Sequence, residues 1–281
     1  MPVGYMKRIL IPFLVLFIFS VVRCDKGEPD PSPNGTRLSQ IIVDKVGVDY
    51  YRFDFVYQDD KLVEIEHWYN DRYGYDTAVN WTKGSNGVEF FWNGKVLDRI
   101  VWNYRTSTQT VDFNYFLSGD IQVTRTRINY EFPTDMHQRS EEWLYDDDRL
   151  QRITITDNLA DEPDVYSVTW AGEEITRVYK SGSNAWKRVI ETGNITSPFR
   201  AIIPRKYRQM FLFHHEGFYD HDDILTWSDN HIPLIINEFE LDNPDYTNIR
   251  ELTEGYSFVS NEKGLLDKMQ YEEVSFYFHY E

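Results

Sequence analysis

A short motif recurs along the chain, and it restricts the fold more than any other feature. Each copy has an aromatic residue, a polar turn, an aliphatic residue five positions after the aromatic one and another aliphatic residue eight positions after it. Clear copies begin at Tyr57, Trp92, Tyr145 and Trp170, residues 113–123 form a looser copy, and residues 261–269 form a copy with one extra turn residue. Repetition of this kind predicts a chain assembled from equivalent small units.

The residues on either side of each turn alternate in a way that predicts β-strands. Phe53, Phe55 and Tyr57 are separated by polar or mixed residues, and Ile65, His67 and Tyr69 continue the alternation after the turn. A period of two places each set on one face of a strand. The turns contain Asp, Asn and Gly, which accept the backbone conformations of tight hairpins. Each motif copy therefore predicts one β-hairpin.

These units predict an all-β fold, an antiparallel meander of repeated hairpins curled into a barrel-like or folded-over sheet. A long meander leaves edge strands, which proteins close or cover. One short helical or irregular insertion is expected at about residues 199–224, and the strand at residues 273–280 completes the sheet. We expect residues 37–281 to form a single domain, because about 245 residues with 41% hydrophobic residues can build one core.

The first 23 residues resemble a signal peptide. Lys7 and Arg8 precede an uncharged, largely apolar run at residues 9–22, which is too short for a membrane span. Cys24, the only cysteine, follows directly, and residues 21–24 resemble the lipobox of bacterial lipoproteins, with Arg23 where a small residue is usual. Lipid attachment at Cys24 is the expectation; an ordinary cleavage site with an incidental cysteine is the alternative. Residues 24–36, rich in Pro, Gly and charge, are expected to form a flexible tether.

The repeat resembles a known family. The pattern Tyr145-Asp-x-x-Arg-Leu-x-x-Ile153 is similar to the YD-type hairpin of RHS-like proteins, and more so to Bacteroides-type lipoproteins of unknown function built from such repeats. Ser197-Pro198-Phe199 and the later Leu225-Thr-Trp-Ser-Asp-Asn230 resemble that family's insertion, with Ser197 where Asn is usual. The resemblance implies an all-β fold and a lipoprotein anchored to the outer membrane of the cell envelope, with its orientation left open. It implies no catalytic residue.

The net charge of the chain and its lack of a metal-binding motif argue against two classes of partner, nucleic acids and metal ions. The formal net charge of −17 disfavours nucleic acid, whose phosphates the chain would repel. His214, His215, Asp220 and His221 form the densest group of metal-ligand types, but Tyr219 breaks the HExxH pattern, and a solvated acidic loop is the better interpretation. We therefore expect neither a cofactor nor a metal.

Three tryptophans are the candidate ligand-binding residues. Trp68 shares a strand face with Glu64 and Glu66, and Trp81 and Trp186 fall in Gly-, Asn- and Ser-rich stretches typical of loops. Exposed indoles stack on sugar rings, although the structural alternative, in which each indole covers the sheet or fixes a loop, remains open.

Three functions follow. The first is a non-catalytic envelope lipoprotein that binds a glycan, a peptide or a partner protein. The second is a structural repeat protein without a small ligand. The third is a carbohydrate hydrolase whose carboxylates lack a recognisable signature.

Overall fold

The computed structural model describes residues 36–45, 48–70, 80–129, 136–157, 162–182, 185–207, 231–241 and 249–281. These residues form seventeen strands and a short 3-10 helix at Pro198–Ala201. The strands are β1 (Leu38–Lys45), β2 (Val48–Gln58), β3 (Lys61–Asn70), β4 (Trp81–Asn93), β5 (Val96–Asn103), β6 (Ser107–Tyr115), β7 (Ile121–Asn129), β8 (Met136–Asp146), β9 (Arg149–Asp157), β10 (Asp164–Ala171), β11 (Glu174–Ser181), β12 (Trp186–Thr196), β13 (His231–Glu240), β14 (Ile249–Glu251), β15 (Tyr256–Ser260), β16 (Leu266–Tyr271) and β17 (Val274–Tyr280).

The strands form one antiparallel sheet in which consecutive strands are neighbours. The ladders run from β15 through β16 and β17 to β1, and from β1 through β2 to β14. Strand β1 joins the two parts of the sheet, because it pairs with β2 on one side and with β17 on the other. The sheet is not closed. The predicted all-β meander of repeated hairpins is confirmed.

The motif copies that begin at Tyr57, Trp92, Tyr145 and Trp170 form hairpins of the same design. In each, the aromatic residue pairs with the aliphatic residue five positions later, and the register shifts immediately before the aromatic residue, as a β-bulge does. The turns have residues with positive φ, namely Asp60 at 64°, Gly94 at 60°, Asp147 at 52° and Gly172 at 60°. The Asp and Gly that mark the motif are therefore required by the backbone of the turn.

The motif aromatic residues also join neighbouring hairpins. Three of them, and Tyr115 and Tyr280 in other hairpins, donate the ring N–H or hydroxyl to the backbone carbonyl of an aliphatic residue in an adjacent unit. The bonds join Tyr57 to Leu38 at 2.9 Å, Trp92 to Leu62 at 2.8 Å, Trp170 to Leu150 at 2.9 Å, Tyr280 to Leu266 at 2.6 Å, and Tyr115 to Leu97. Tyr145 instead donates its hydroxyl to the Lys206 carbonyl at 2.8 Å. A buried polar tip on a large apolar ring explains why these positions are Tyr or Trp.

The core lies on the inner face of the curled sheet. It contains the motif aliphatic residues, such as Leu97, Ile100 and Ile153, and the large ring of Trp143, all fully buried. The segment after β12 packs against this core. The Ser197 hydroxyl caps the 3-10 helix by accepting the Phe199 N–H at 3.3 Å, and Phe199 and Tyr207 are buried.

The predicted insertion at 199–224 thus begins with a short helical turn, while residues 208–224 lie outside the described ranges. Among the residues that the structure describes, none of the helices has both the length and the hydropathy needed to cross a membrane.

Candidate functional site on the outer face

The structure places all three candidate tryptophans in strands. Trp68 lies within β3, Trp81 is the first residue of β4, and Trp186 is the first residue of β12. The loop prediction for Trp81 and Trp186 was wrong, because their backbones pair across ladders with Asn70 and with Lys180, respectively. Polar and glycine-rich composition had suggested loops, but cross-strand pairing overrides local propensity.

Trp68 and Trp81 come together around a guanidinium group. The Cζ of Arg52 lies 4.7 Å from the ring centroid of Trp68 and 5.2 Å from that of Trp81. Arg52 is half-buried, with 19% of its side chain exposed, and its Nη2 donates to Asp54 at 2.8 Å. Cation–π attraction of this kind is worth about 0.5–2 kcal/mol, depending on burial. The two indoles are therefore held in fixed positions on the solvent face of the sheet.

Polar groups surround the two indoles. Asp54 accepts a second hydrogen bond from Gln40 at 2.8 Å. Lys83 forms ion pairs with Glu66 at 2.5 Å and with Glu64 at 3.4 Å. The hydrogen bond that Lys83 donates to Glu66 raises the pKa of Lys83. The carboxylates beside the indoles are thus already paired with cationic or amide donors.

Arg52, Trp68 and Lys83 belong to a row of directly opposed residues that crosses five strands. Tyr277 of β17 is opposite Ile42 of β1, Ile42 is opposite Arg52 of β2, Arg52 is opposite Trp68 of β3, and Trp68 is opposite Lys83 of β4. We call this row, together with Trp81, the outer strip. At the usual separation of about 4.8 Å between strands, it spans roughly 19 Å.

The indole of Trp68 presents its ring and not its N–H to a ligand. Its Nε1 is buried and has no hydrogen-bond partner among the residues that the structure describes. Since this donor does not reach the surface, contact with a ligand would use the ring face. Stacking on an apolar ring surface is the chemistry that this arrangement offers.

Trp186 does not belong to the outer strip. It packs against the core, where its ring centroid is 6.0 Å from that of Tyr166 and 4.3 Å from the Cζ of Arg188. Burial raises the pKa of Tyr166 to about 12, opposed by the charges of Arg139 and Arg188. The structure therefore brings together two of the three candidate tryptophans and places the third, half-buried, against the edge of the core.

A charged cluster on the core-facing side of the sheet was not predicted from the sequence. Glu141, whose side chain has no exposed surface, accepts from Arg125 Nε at 2.6 Å, from Arg139 Nε at 2.9 Å and from Trp143 Nε1 at 2.8 Å. Both Nη atoms of Arg125 are buried and have no hydrogen-bond partner within the described ranges. The strand alternation contains the signal, because Glu141 has the same parity as the core residue Trp143.

A further concave feature lies where the described chain begins. A cavity of about 440 Å³ is bordered by Thr36, by the turn between β15 and β16, and by the end of β17, including His279. Its lining mixes both charge signs, with Lys263 and Asp267 among the contributors.

The remaining predicted site residues lie outside the described ranges. These are the acylation candidate Cys24 and the metal-ligand candidates His214, His215, Asp220 and His221. Within the ranges that the structure does describe, no group of three or more His, Cys, Asp or Glu side chains is arranged to hold a metal ion.

Comparison with known proteins finds similarity to solved structures only. No protein-family model and no curated protein matches the sequence. Among solved structures, the chain is similar to a porin-like protein from Bacteroides vulgatus ATCC 8482, at a TM-score of 0.36 and 8% sequence identity. The match covers 88% of this chain and 99% of that one. A likeness at this level carries no argument about family or function, so the lipoprotein resemblance stays a prediction.

Proposed function

We propose that this protein is a non-catalytic lipoprotein of the bacterial cell envelope that binds a glycan on the outer strip. The observation that carries the proposal is the pair of half-buried indoles, Trp68 and Trp81, which both lie within 5.2 Å of the Arg52 guanidinium. Aromatic rings fixed on a solvent-facing sheet offer sugar rings a stacking surface at low entropic cost, because the side chains are already ordered.

The polar neighbours of the strip suit the hydroxyl groups of a sugar. Asp54, Gln40 and Glu66 supply acceptors and an amide beside the rings, while Arg52 and Lys83 supply donors. A strip of roughly 19 Å across five strands would accommodate several sugar residues in an extended chain. Peptides can also stack on indoles, but the combination of flat rings with neighbouring hydroxyl-binding groups favours a glycan.

The state of the nearby carboxylates supports binding without hydrolysis. A glycosidase positions two carboxyl groups to flank the scissile bond, one of them protonated for use as an acid. Here Asp54 accepts from Arg52 and Gln40, and Glu66 pairs with Lys83. These contacts fix the two carboxylates as hydrogen-bond acceptors, an arrangement that suits recognition of hydroxyl groups.

The proposed location in the cell envelope rests on the N-terminal sequence. The apolar run at residues 9–22 followed by the single cysteine, Cys24, supports export and acylation. Radiolabelled lipid precursor should label the wild-type protein and not the Cys24→Ala variant. Label retained in that variant would contradict the anchor.

The glycan proposal is tested with the full chain purified in detergent and screened against bacterial, dietary and host glycans by thermal shift. A glycan at 100 times its Kd should stabilise the fold by about 2.7 kcal/mol. Trp68→Ala and Trp81→Ala should abolish this shift.

Two further variants serve as controls. Phe91→Ala removes an aromatic ring that is 43% exposed on β4 but lies outside the strip, and it should leave the shift intact. Trp186→Ala should lower the melting temperature without affecting binding. If no glycan stabilises the wild type, the proposal fails and a scaffold role gains support.

A further inference from the structure

The hairpin turns of one end of the sheet lie side by side, and we call this end the turn rim. The rim contains the turns between β2 and β3, β4 and β5, β6 and β7, β8 and β9, and β10 and β11. Contacts join neighbouring turns at three places. Lys61 donates to the carbonyl of Gly94, Tyr145 N–H donates to Asp120 at 3.0 Å, and Arg149 forms an ion pair with Glu173.

One rim turn differs from its neighbours in chemistry. The turn between β6 and β7 presents Phe116, 51% exposed, and Leu117, fully exposed. The turns of the motif hairpins carry Asp or Gly at their tips, as at Asp60, Gly94 and Gly172. Two large apolar side chains at the tip of a turn expose surface that folding alone does not bury.

This apolar tip is held rigidly. Phe116 N–H donates to the Asp120 carbonyl at 3.0 Å, and Gly119 N–H donates to the Phe116 carbonyl at 3.0 Å. The carboxylate of Asp120 accepts from the Ser118 hydroxyl at 2.6 Å and from Tyr145 N–H, and Lys206 Nζ donates to the Gly119 carbonyl at 2.6 Å. The turn is therefore braced from three parts of the chain while its apolar side chains point away from the protein.

The described chain begins at the same end. Arg37 forms an ion pair with Asp60 in the turn between β2 and β3, and the Tyr57 hydroxyl donates to the Leu38 carbonyl. Only 12 positions separate Thr36 from Cys24, a length of chain that reaches about 40 Å at most. An acyl chain on Cys24 would thus hold the start of β1, which lies at the turn-rim end of the sheet, within about 40 Å of the lipid surface.

We propose that the turn rim faces the membrane and that Phe116 and Leu117 insert into its interface. The inference rests on the proposed acylation of Cys24 and not on glycan binding. The partner is a zwitterionic lipid surface, because the exposed aspartates of the rim, among them Asp59, Asp147 and Asp148, repel anionic headgroups. The outer strip and the opposite end of the sheet then remain accessible from the aqueous side.

The test uses the acylated full chain reconstituted in phosphatidylcholine vesicles. Acylation occupies the thiol of Cys24, so Leu117→Cys supplies one reactive thiol for a nitroxide label. Ile128→Cys is the matched control, since Ile128 is 41% exposed near the far end of β7. We expect the label at position 117 to be reached more readily by dissolved oxygen than by a water-soluble nickel chelate, and the label at position 128 to show the reverse.

Each other outcome has a defined meaning. A label at position 117 that behaves like the one at position 128, with one label per chain, overturns the membrane contact while the anchor stands. Two labels per chain show that Cys24 is free, which overturns the anchor and the inference together. Because Leu117 is fully exposed, its replacement leaves the core unchanged.

Discussion

Replacing Glu141 with glutamine should destabilise the fold more than a typical single substitution. The carboxylate receives hydrogen bonds from Arg125, Arg139 and Trp143 in a site without exposed surface. Glutamine keeps the shape but removes the charge and turns an NH₂ group toward donors. Breaking a buried ion pair costs about 3–5 kcal/mol, because the remaining charge is left without compensation. For a domain of this size, such a loss lowers Tm by roughly 6–20 °C.

The assay is thermal unfolding followed by circular dichroism, supported by urea unfolding at constant m. Glu142→Gln is the matched control, because Glu142 is exposed on the outer face of the same strand and should change stability by less than about 0.5 kcal/mol. Arg125→Met should cost less than Glu141→Gln, since Glu141 keeps Arg139 and Trp143 while two unpartnered Nη groups disappear. A Tm for Glu141→Gln within 2 °C (about 1 kcal/mol or less) of wild type would refute the reasoning.

Three further perturbations test the backbone and the core. Tyr57→Phe removes the hydroxyl that donates to the Leu38 carbonyl and should cost about 1 kcal/mol in urea unfolding. Gly172→Ala, at φ 60° with open space around the added methyl group, should cost roughly 1–2 kcal/mol from backbone strain alone. Burial between Phe53 and its neighbours lowers the pKa of His67, so wild-type stability should fall as pH drops below about 6.5, and His67→Phe should remove that part of the pH dependence of Tm.

Each of these expectations has a contradicting result. Tyr179→Phe, at a tyrosine that is 44% exposed, should be neutral, and an equal loss there would show that the Tyr57 effect is not due to its hydrogen bond. An unchanged or higher stability of Gly172→Ala would refute the strain argument. A His67→Phe variant with the same acid sensitivity as wild type would assign the pH dependence to other groups.

The motif predicted the hairpins, because turn chemistry and strand alternation are local properties. Asp60 and Gly94 mark positive-φ positions that few other residues occupy, and the alternation places Ile100 and Ile153 in the core. The positions of these turns and core residues could be predicted from residues only a few places apart in the sequence. The face of Trp68 was predicted in the same way.

The features that escaped prediction depend on neighbours distant in sequence. Trp81 and Trp186 were expected in loops because their surroundings are polar, but pairing with β3 and with β11 and β13 holds them in strands. The approach of Arg52 to both Trp68 and Trp81 depends on register across two ladders, which composition does not specify. The same holds for the bonds from motif aromatic residues to carbonyls of adjacent hairpins.

The position of β1 has a consequence for how the chain folds. Most ladders join strands that follow one another, so hairpins from β2 onward can form soon after their residues become available. The ladder between β1 and β17 instead joins residues as far apart as Leu38 and Tyr280, and such contacts form slowly because a very long loop must close. Until β17 arrives, β1 presents an unpaired edge that could recruit another chain. Folding intermediates in which the ladder between β1 and β17 has not formed should therefore aggregate more readily than the native protein.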